Sequence, residues 1–295
     1  MMRGMVEYLR SQAAFYITRP ATLRSRVVFA SPHSSQEYPR AFVQQSQLDQ
    51  HTIRSSEDAF VHQLFDAAPE HGAPLIRAGV PRAFVDMNRS PDELDPALIE
   101  GAKRHAHNPR VASGLGVVPR VVANGRAIYR GKLPMSEAKA RIEAYWHPYH
   151  TALQQLLDAA HARFDQAILI DCHSMPHEAM DGVTRARKRP PEIVLGDRFG
   201  AAASNDIVDQ IEAAFASAGL TVARNTPFAG AYVTQAYGRP SRNQHAVQIE
   251  IDRALYMDER RIEPNANFDA LRRILTDVIA EVSQIGSDQA PLAAE

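Results

Sequence analysis

Three short stretches bring together side chains that can bind a metal or carry a proton. VVFASPHS runs from Val27 into His33, and ILIDCHSM runs from Ile168 into Asp171-Cys172-His173-Ser174. Both are apolar runs that stop at a histidine, where an ordinary strand stops at turn residues. QIEID, residues 248–252, sets Glu250 in the middle of an apolar strand. Two neutral imidazoles and one carboxylate leave an open position on zinc, as a hydrolytic zinc site requires. Such a metal brings the pKa of a bound water to about 7. The spacing matches no short zinc pattern such as HExxH, so residue types alone leave the metal undecided.

Candidates for the carboxylate are Glu37, four residues after His33, and the pair Glu57-Asp58. That pair opens an expected helix, where first-turn acids also serve simply to offset the helix dipole. Asp171 lies two residues before His173, placed either to orient that histidine or to cap the turn that follows. Strand alternation turns Asp171 and His173 to one face and Cys172 to the other. It likewise separates Gln248, Glu250 and Asp252 from Ile249 and Ile251. A carboxylate on a buried face must be paired or tuned for proton transfer. RAFVDMNRSPDELD brings Arg82, Asn88 and Arg89 to another strand end. Arginine grips carboxylates through two parallel hydrogen bonds, which suggests an anionic substrate. The competing reading is a structural ion pair of Arg89 with Asp92 or Asp95. His62, His147, His150 and His161 fall in helical patterns and read as surface or core residues.

The elements that must position these groups alternate along the chain. Strands are expected at 26–33, 73–80, 82–90, 168–175, 193–200, 221–227, 231–238 and 246–255. Helices are expected at 55–72, 135–164, 206–219 and 268–285, the second kinked or split by Pro148. Residues 6–16 also have some helical periodicity, and the weakly patterned stretch 97–133 should wander over the surface. This alternation argues for an α/β fold with helices on both sides of a largely parallel or mixed sheet. Ligands in such sheets bind beyond the carboxyl ends of the strands. Without a repeat or a linker, residues 1–285 are expected to form a single domain, with 286–295 a frayed tail.

A net charge of −1 gives no electrostatic case for nucleic acid or an anionic membrane. The basic stretch RARKRPP at 185–191 reads as a solvated loop. A lone cysteine, Cys172, rules out an internal disulfide and suits a reducing compartment. The N-terminal segment lacks a signal-peptide core, and no stretch approaches the roughly 18 apolar residues of a membrane span. A soluble, cytoplasmic protein is expected, with its oligomeric state unread.

In chain order, SPHSSQEYP, SEDAFVHQLF, RAFVDMNRSPDELDP, ILIDCHSMP, LGDRFG and GAYVTQAYGRP–HAVQIEIDRALYMDE resemble the N-formylglutamate amidohydrolases (N-formylglutamate deformylases). That family is similar in turn to zinc carboxypeptidases and aspartoacylases. The resemblance implies a three-layer α/β/α sandwich with a mixed, largely parallel central sheet, and one Zn2+ per chain. It implies His33, Asp58 and His173 as metal ligands, with Glu57 the alternative to Asp58. Asn88-Arg89 would grip a substrate carboxylate, Arg82 would assist there or at the oxyanion, and Glu250 would be the general base. The first block reads PHSS where the family often has a glycine after HS. The implied reaction is hydrolysis of N-formyl-L-glutamate, or a similar small anionic N-acyl amino acid, by metal-activated water, giving formate and L-glutamate. A role in histidine degradation follows from the family name alone. Alternatives are a zinc hydrolase of another N-acyl amino acid or short peptide, and a metal-free binding protein for acidic metabolites. A cysteine hydrolase built on Cys172 and His173 is disfavoured, because adjacent strand residues face apart.

Overall fold

The computed structural model describes residues 12–103, 108–181 and 190–286. One sheet contains β1 (Phe15–Thr18), β2 (Val27–Ser31), β3 (Leu75–Ala78), β4 (Ala167–Met175), β5 (Ile193–Gly196), β6 (Val222–Arg224) and β7 (Gln244–Asp252). Their spatial order is β1-β3-β2-β4-β7-β5-β6. The pairs β2–β3, β2–β4, β4–β7 and β5–β6 are parallel, and β1–β3 and β5–β7 are antiparallel. The sheet is therefore mixed and largely parallel. Because β3 and β4 flank β2 on opposite sides, the chain reverses its direction of growth between β2 and β4. A reversal of this kind opens a crevice at the carboxyl ends of the strands.

Alternation along the strands feeds two apolar layers. Val28, Ala30, Leu169 and Ala246 pack with the helix His147–Phe164 on one side. Val27, Phe29, Ile170, Cys172, Val247 and Ile249 pack beneath the helices Asn205–Ser217 and Phe268–Ser283 on the other. This is the expected α/β/α sandwich, and it explains why β4 and β7 are buried at every position. The first face turns polar near the strand ends, at Asp171 and His173 on β4 and at Gln248, Glu250 and Asp252 on β7. Pairing of β4 with β7 sets His173 beside Glu250. The last β2–β4 pair is Ala30 with Asp171. Beyond it β4 outruns β2 and leaves a notch, with His33 in the loop that follows β2.

Several local expectations fail for identifiable reasons. β4 runs to Met175 as expected, so His173 lies within the strand and not at its end. Residues 82–90 form turns rather than a strand; Phe84, Val85 and Met87 are buried against the helical layer, so their apolar pattern reflects packing without a ladder. Residues 231–238 contain a short helix, Tyr232–Tyr237, with Val233, Thr234 and Tyr237 buried; periodicity does not separate strand from helix over so few residues. The helix expected from Ser55 shrinks to Val61–Leu64 and a 3-10 turn at Ala68–His71, preceded by Phe60 at φ 66°. Glu57 and Asp58 therefore lie between the 3-10 turn Thr52–Arg54 and the helix Val61–Leu64, outside any first helical turn, and the dipole role does not apply to them. The stretch 97–133 is not a surface loop throughout, since Leu98, Ile99, Val117, Val118 and Ile128 enter the core.

The long helix does continue from Met135 to Phe164, but through a π turn at Ile142–Trp146 just before Pro148. Residues 6–11, most of the basic stretch 185–191 and the tail beyond 286 lie outside the described residues, while Phe15 and Tyr16 belong to β1. Among the described residues, no helix is long and apolar enough to cross a membrane.

Candidate active site

The notch opens into a cleft of about 740 Å3 lined by His33, Asp58, Arg82, His173, Glu250 and Arg253, among others. A hydrogen bond from the Asp58 main-chain N–H to the His33 carbonyl, 3.1 Å, ties the loop after β2 to the acidic segment. His33 Nδ1 and His173 Nδ1 both face Asp58 Oδ2, at 3.4 and 2.9 Å. Their Nε2 atoms rest on other carboxylates, His33 on Asp86 at 2.6 Å and His173 on Asp171 at 2.9 Å. A carboxylate behind each ring fixes its orientation and raises the basicity of the opposite nitrogen.

The Nδ1 atom of His33 is buried and has no hydrogen-bond partner among the described residues. Buried polar atoms are rarely left so, and this one points at Asp58 and at the other imidazole. His33, Asp58 and His173 can offer ligand atoms that all lie within 4.8 Å of one another. Two imidazole nitrogens and a carboxylate oxygen are a donor set that suits a divalent metal and leaves it an open position. The residues present therefore fit a metal ion.

Electrostatics support the same centre. Burial alone would raise the Asp58 carboxyl, but the hydrogen bond with His173, the nearby His33 imidazole and the charge of Arg82 hold it well below the ordinary range. Burial acts on Asp86 in the same sense, and His33, Arg82 and Arg89 overcome it. Arg253 Nη2 donates to Asp58 Oδ1 at 3.0 Å, and Arg82 Nη2 donates to Asp86 Oδ2 at 3.2 Å. Glu250 behaves differently: burial pushes it up to about 7, against the opposing charge of His173. A carboxylate poised near neutrality suits proton transfer. Its Oε1 accepts a hydrogen bond from Gln248 Nε2 at 2.7 Å.

The other sequence candidates separate clearly. Glu57 turns away from the centre and pairs with Arg54 at 3.0 and 3.1 Å. Glu37 pairs with Tyr16 and Arg77 instead. Arg89 makes no ion pair with Asp92 or Asp95; it donates to the Leu115 and Asn88 carbonyls at 2.9 and 2.7 Å, and Asp95 takes Arg120. Asn88 lines the cleft, but its amide is heavily engaged: Nδ2 donates to Asp171 Oδ2 at 3.2 Å and lies 3.1 Å from His173 Nε2. Its Oδ1 accepts from the Val233 N–H at 2.8 Å.

Sequence reasoning missed Asp86 and Arg253. A signal for Asp86 existed, since a ligating histidine needs an outer carboxylate; His173 had Asp171 in view, and His33 had been given none. Arg253 directly follows the strand that carries Glu250.

The family model for N-formylglutamate amidohydrolase matches residues 25–257. The chain belongs to the N-formylglutamate amidohydrolase family. Membership places it among enzymes that act on amide bonds, and the reading as a non-enzymatic binding protein gives way. It is 34% identical over 210 residues to an N-formylglutamate deformylase of Pseudomonas aeruginosa, covering 69% of this chain and 71% of that one. A second N-formylglutamate deformylase, of Pseudomonas putida, is 32% identical over 209 residues, covering 68% and 71%. The crystal structure of an N-formylglutamate amidohydrolase from Ralstonia eutropha superposes with a TM-score of 0.87 at 34% identity, covering 94% of this chain and 99% of that one. A gene product of Agrobacterium tumefaciens shares the fold at a TM-score of 0.64 and 18% identity, covering 94% and 96%.

For a member of this amidohydrolase family, Cys172 has no evident chemical task. It is buried on the far face of β4 among Ile168, Ile170 and Ile249. Burial, together with the charge of Asp171, holds its thiol well above the ordinary value. Cys172→Ser is expected to leave kcat within about twofold of the parent while lowering Tm, because a hydroxyl replaces a small apolar group in a packed core. Loss of activity without loss of bound metal would revive the cysteine as a nucleophile.

Proposed function

We propose that the protein hydrolyses N-formyl-L-glutamate to formate and L-glutamate, with one zinc ion held by His33, Asp58 and His173. The observation that carries this reading is the convergence of three buried ligand atoms, one of them the partnerless His33 Nδ1, beside a carboxylate poised near neutrality. The names of the relatives supply the substrate. Zinc bound there supplies Lewis acidity, which polarises a carbonyl and lowers the pKa of water.

The remaining work falls to side chains of this chain. Glu250, ionised, takes a proton from the attacking water and later returns it to the departing amine. Arg82, on the cleft wall beside Asp58 and Asp86, stabilises the charge that develops on the formyl oxygen. Arg89, without an ion pair among the described residues, holds a substrate carboxylate, and Asn88 helps define that position from beside His173. Asp86 and Asp171 keep the two imidazoles in the required tautomer. We also assign the protein to the cytoplasm, on its single cysteine, and to histidine degradation, on the family's name.

Purified protein should contain about one zinc per chain, the stoichiometry of a single three-ligand site. Initial rates on N-formyl-, N-acetyl- and N-succinyl-L-glutamate then test the acyl group. The formyl compound is expected to be fastest, by about tenfold or more, since added methylenes are each worth about 1–3 kcal/mol in a fitted pocket. Zinc-loaded protein that leaves the formyl compound intact, or prefers another acyl group, overturns the assignment.

A further inference from the structure

The segment that carries Arg82, Asp86, Asn88 and Arg89 belongs to no helix or strand, yet much of it is buried. Buried carbonyls need donors, and three of them come from one helical run. Arg141 Nη1 donates to the Phe84 carbonyl at 3.1 Å, His150 Nε2 to Met87 at 2.9 Å, and Trp146 Nε1 to Arg89 at 2.9 Å. The geometry of an uninterrupted α-helix forbids this arrangement. At roughly 100° per residue, Trp146 would stand well round the barrel from Arg141, and His150 about opposite it. The π turn at Ile142–Trp146 removes the conflict. It inserts one residue into a single turn, so Trp146 follows Arg141 much as an i+4 neighbour would. His150 then follows Trp146 by an ordinary helical turn.

We propose that this π turn is a positioning device, which aligns Arg141, Trp146 and His150 to fix the Asp86–Arg89 segment in its reactive geometry. The three act through that segment and are positioning residues. Trp146 holds the carbonyl of Arg89, whose Nη1 in turn holds the carbonyl of Asn88. His150 holds the carbonyl between Asp86, the partner of His33, and Asn88, which lies against His173. Packing makes the donors rigid. The Trp146 and His150 rings lie 3.9 Å apart, and His150 stacks on Tyr237, whose hydroxyl donates to Nδ1 at 2.8 Å. The Met87 carbonyl can only accept, so Nε2 carries the hydrogen, and burial keeps the ring neutral by lowering its pKa to about 3, which leaves Nδ1 to accept from Tyr237.

Trp146→Phe keeps an aromatic ring and removes only the donor. Because Arg89 is assigned to the substrate carboxylate, the variant is expected to raise KM for N-formyl-L-glutamate about tenfold, with kcat within about twofold, as expected of a displaced binding group. Amide hydrogen exchange should accelerate in residues 84–90 and stay at the parent rate in β4 and β7. His150→Leu should lower kcat about tenfold, and His150→Gln, which retains an N–H, should recover most of it. The kinetic arms rest on the proposed substrate, whereas the exchange arm does not. If the parent enzyme fails to turn over N-formyl-L-glutamate, that assignment falls and the exchange pattern alone decides the positioning role. Unchanged exchange in 84–90, exchange accelerated throughout, unchanged KM in an active Trp146→Phe enzyme, or equal impairment of the two His150 variants would each overturn the proposal.

Discussion

Glu250→Gln is expected to lower kcat about a thousandfold, within the range that a positioned general base contributes, while zinc content stays at the parent level. Glutamine preserves the shape of the side chain, and its amide oxygen can still accept from Gln248 Nε2, which meets Glu250 Oε1 at 2.7 Å. What it cannot do is take a proton from water and return it to an amine. The pH profile distinguishes this from a packing defect. Burial sets Glu250 at about 7, so protonation as pH falls removes the base, and kcat/KM should fall with it on a limb of unit slope. A dication at the neighbouring site favours the carboxylate, so in the zinc-loaded enzyme that limb lies below 7. The residual rate of the glutamine variant should lack the limb. A variant with kcat within about threefold of the parent, or with the limb intact, would move the base to another residue.

Legibility in the sequence followed the reach of each physical rule. β4 and β7 were readable because a strand covered on both faces must be apolar on both, so Asp171, His173 and Glu250 stood out as interruptions. Alternation then separated His173 from Cys172 correctly, and the two layers confirm it. The central crevice was also readable, since histidines at the ends of two strands belong where an α/β sheet binds ligands. Residues 82–90 and 231–238 were not, because their conformations are imposed from outside. Phe84, Met87 and Arg89 have their carbonyls satisfied by side chains from a distant helix, and no local pattern encodes that. The wall built by the stretch 97–133 escaped for a similar reason. Arg110, Leu115 and Val121 line the cleft, but they sit in a one-turn helix, Pro109–Ala112, and the irregular backbone after it, whose course is set by packing against the segment they cover. Residue types alone left Glu57 and Asp58 equivalent, and the resemblance favoured Asp58; the backbone supplies the physical reason, since Asp58 faces the histidines and Glu57 faces Arg54.

His173→Ala is expected to remove both the bound zinc and measurable deformylase activity. Alanine deletes one of three ligands and leaves Asp58 Oδ2 facing His33 alone, a pair too small to close a zinc site. It also strands Asp171, whose Oδ1 already lacks a partner and whose Oδ2 would keep only Asn88. Removing one member of a buried ion pair costs roughly 3–5 kcal/mol, so the variant should melt below the parent for a reason unrelated to metal. Zinc titration followed by thermal melting separates the two effects. Metal-free parent protein gains stability as zinc is added, since a ligand that binds only the folded state raises Tm by mass action. The variant should start lower and show no such rise, because its loss is of the site as well as of the pairing. A zinc-dependent rise in the variant would mean that the metal centre lies elsewhere and that His173 is only part of the buried polar network beneath it, and a zinc-free variant that still releases formate at the parent rate would mean that the reaction does not depend on zinc at this site.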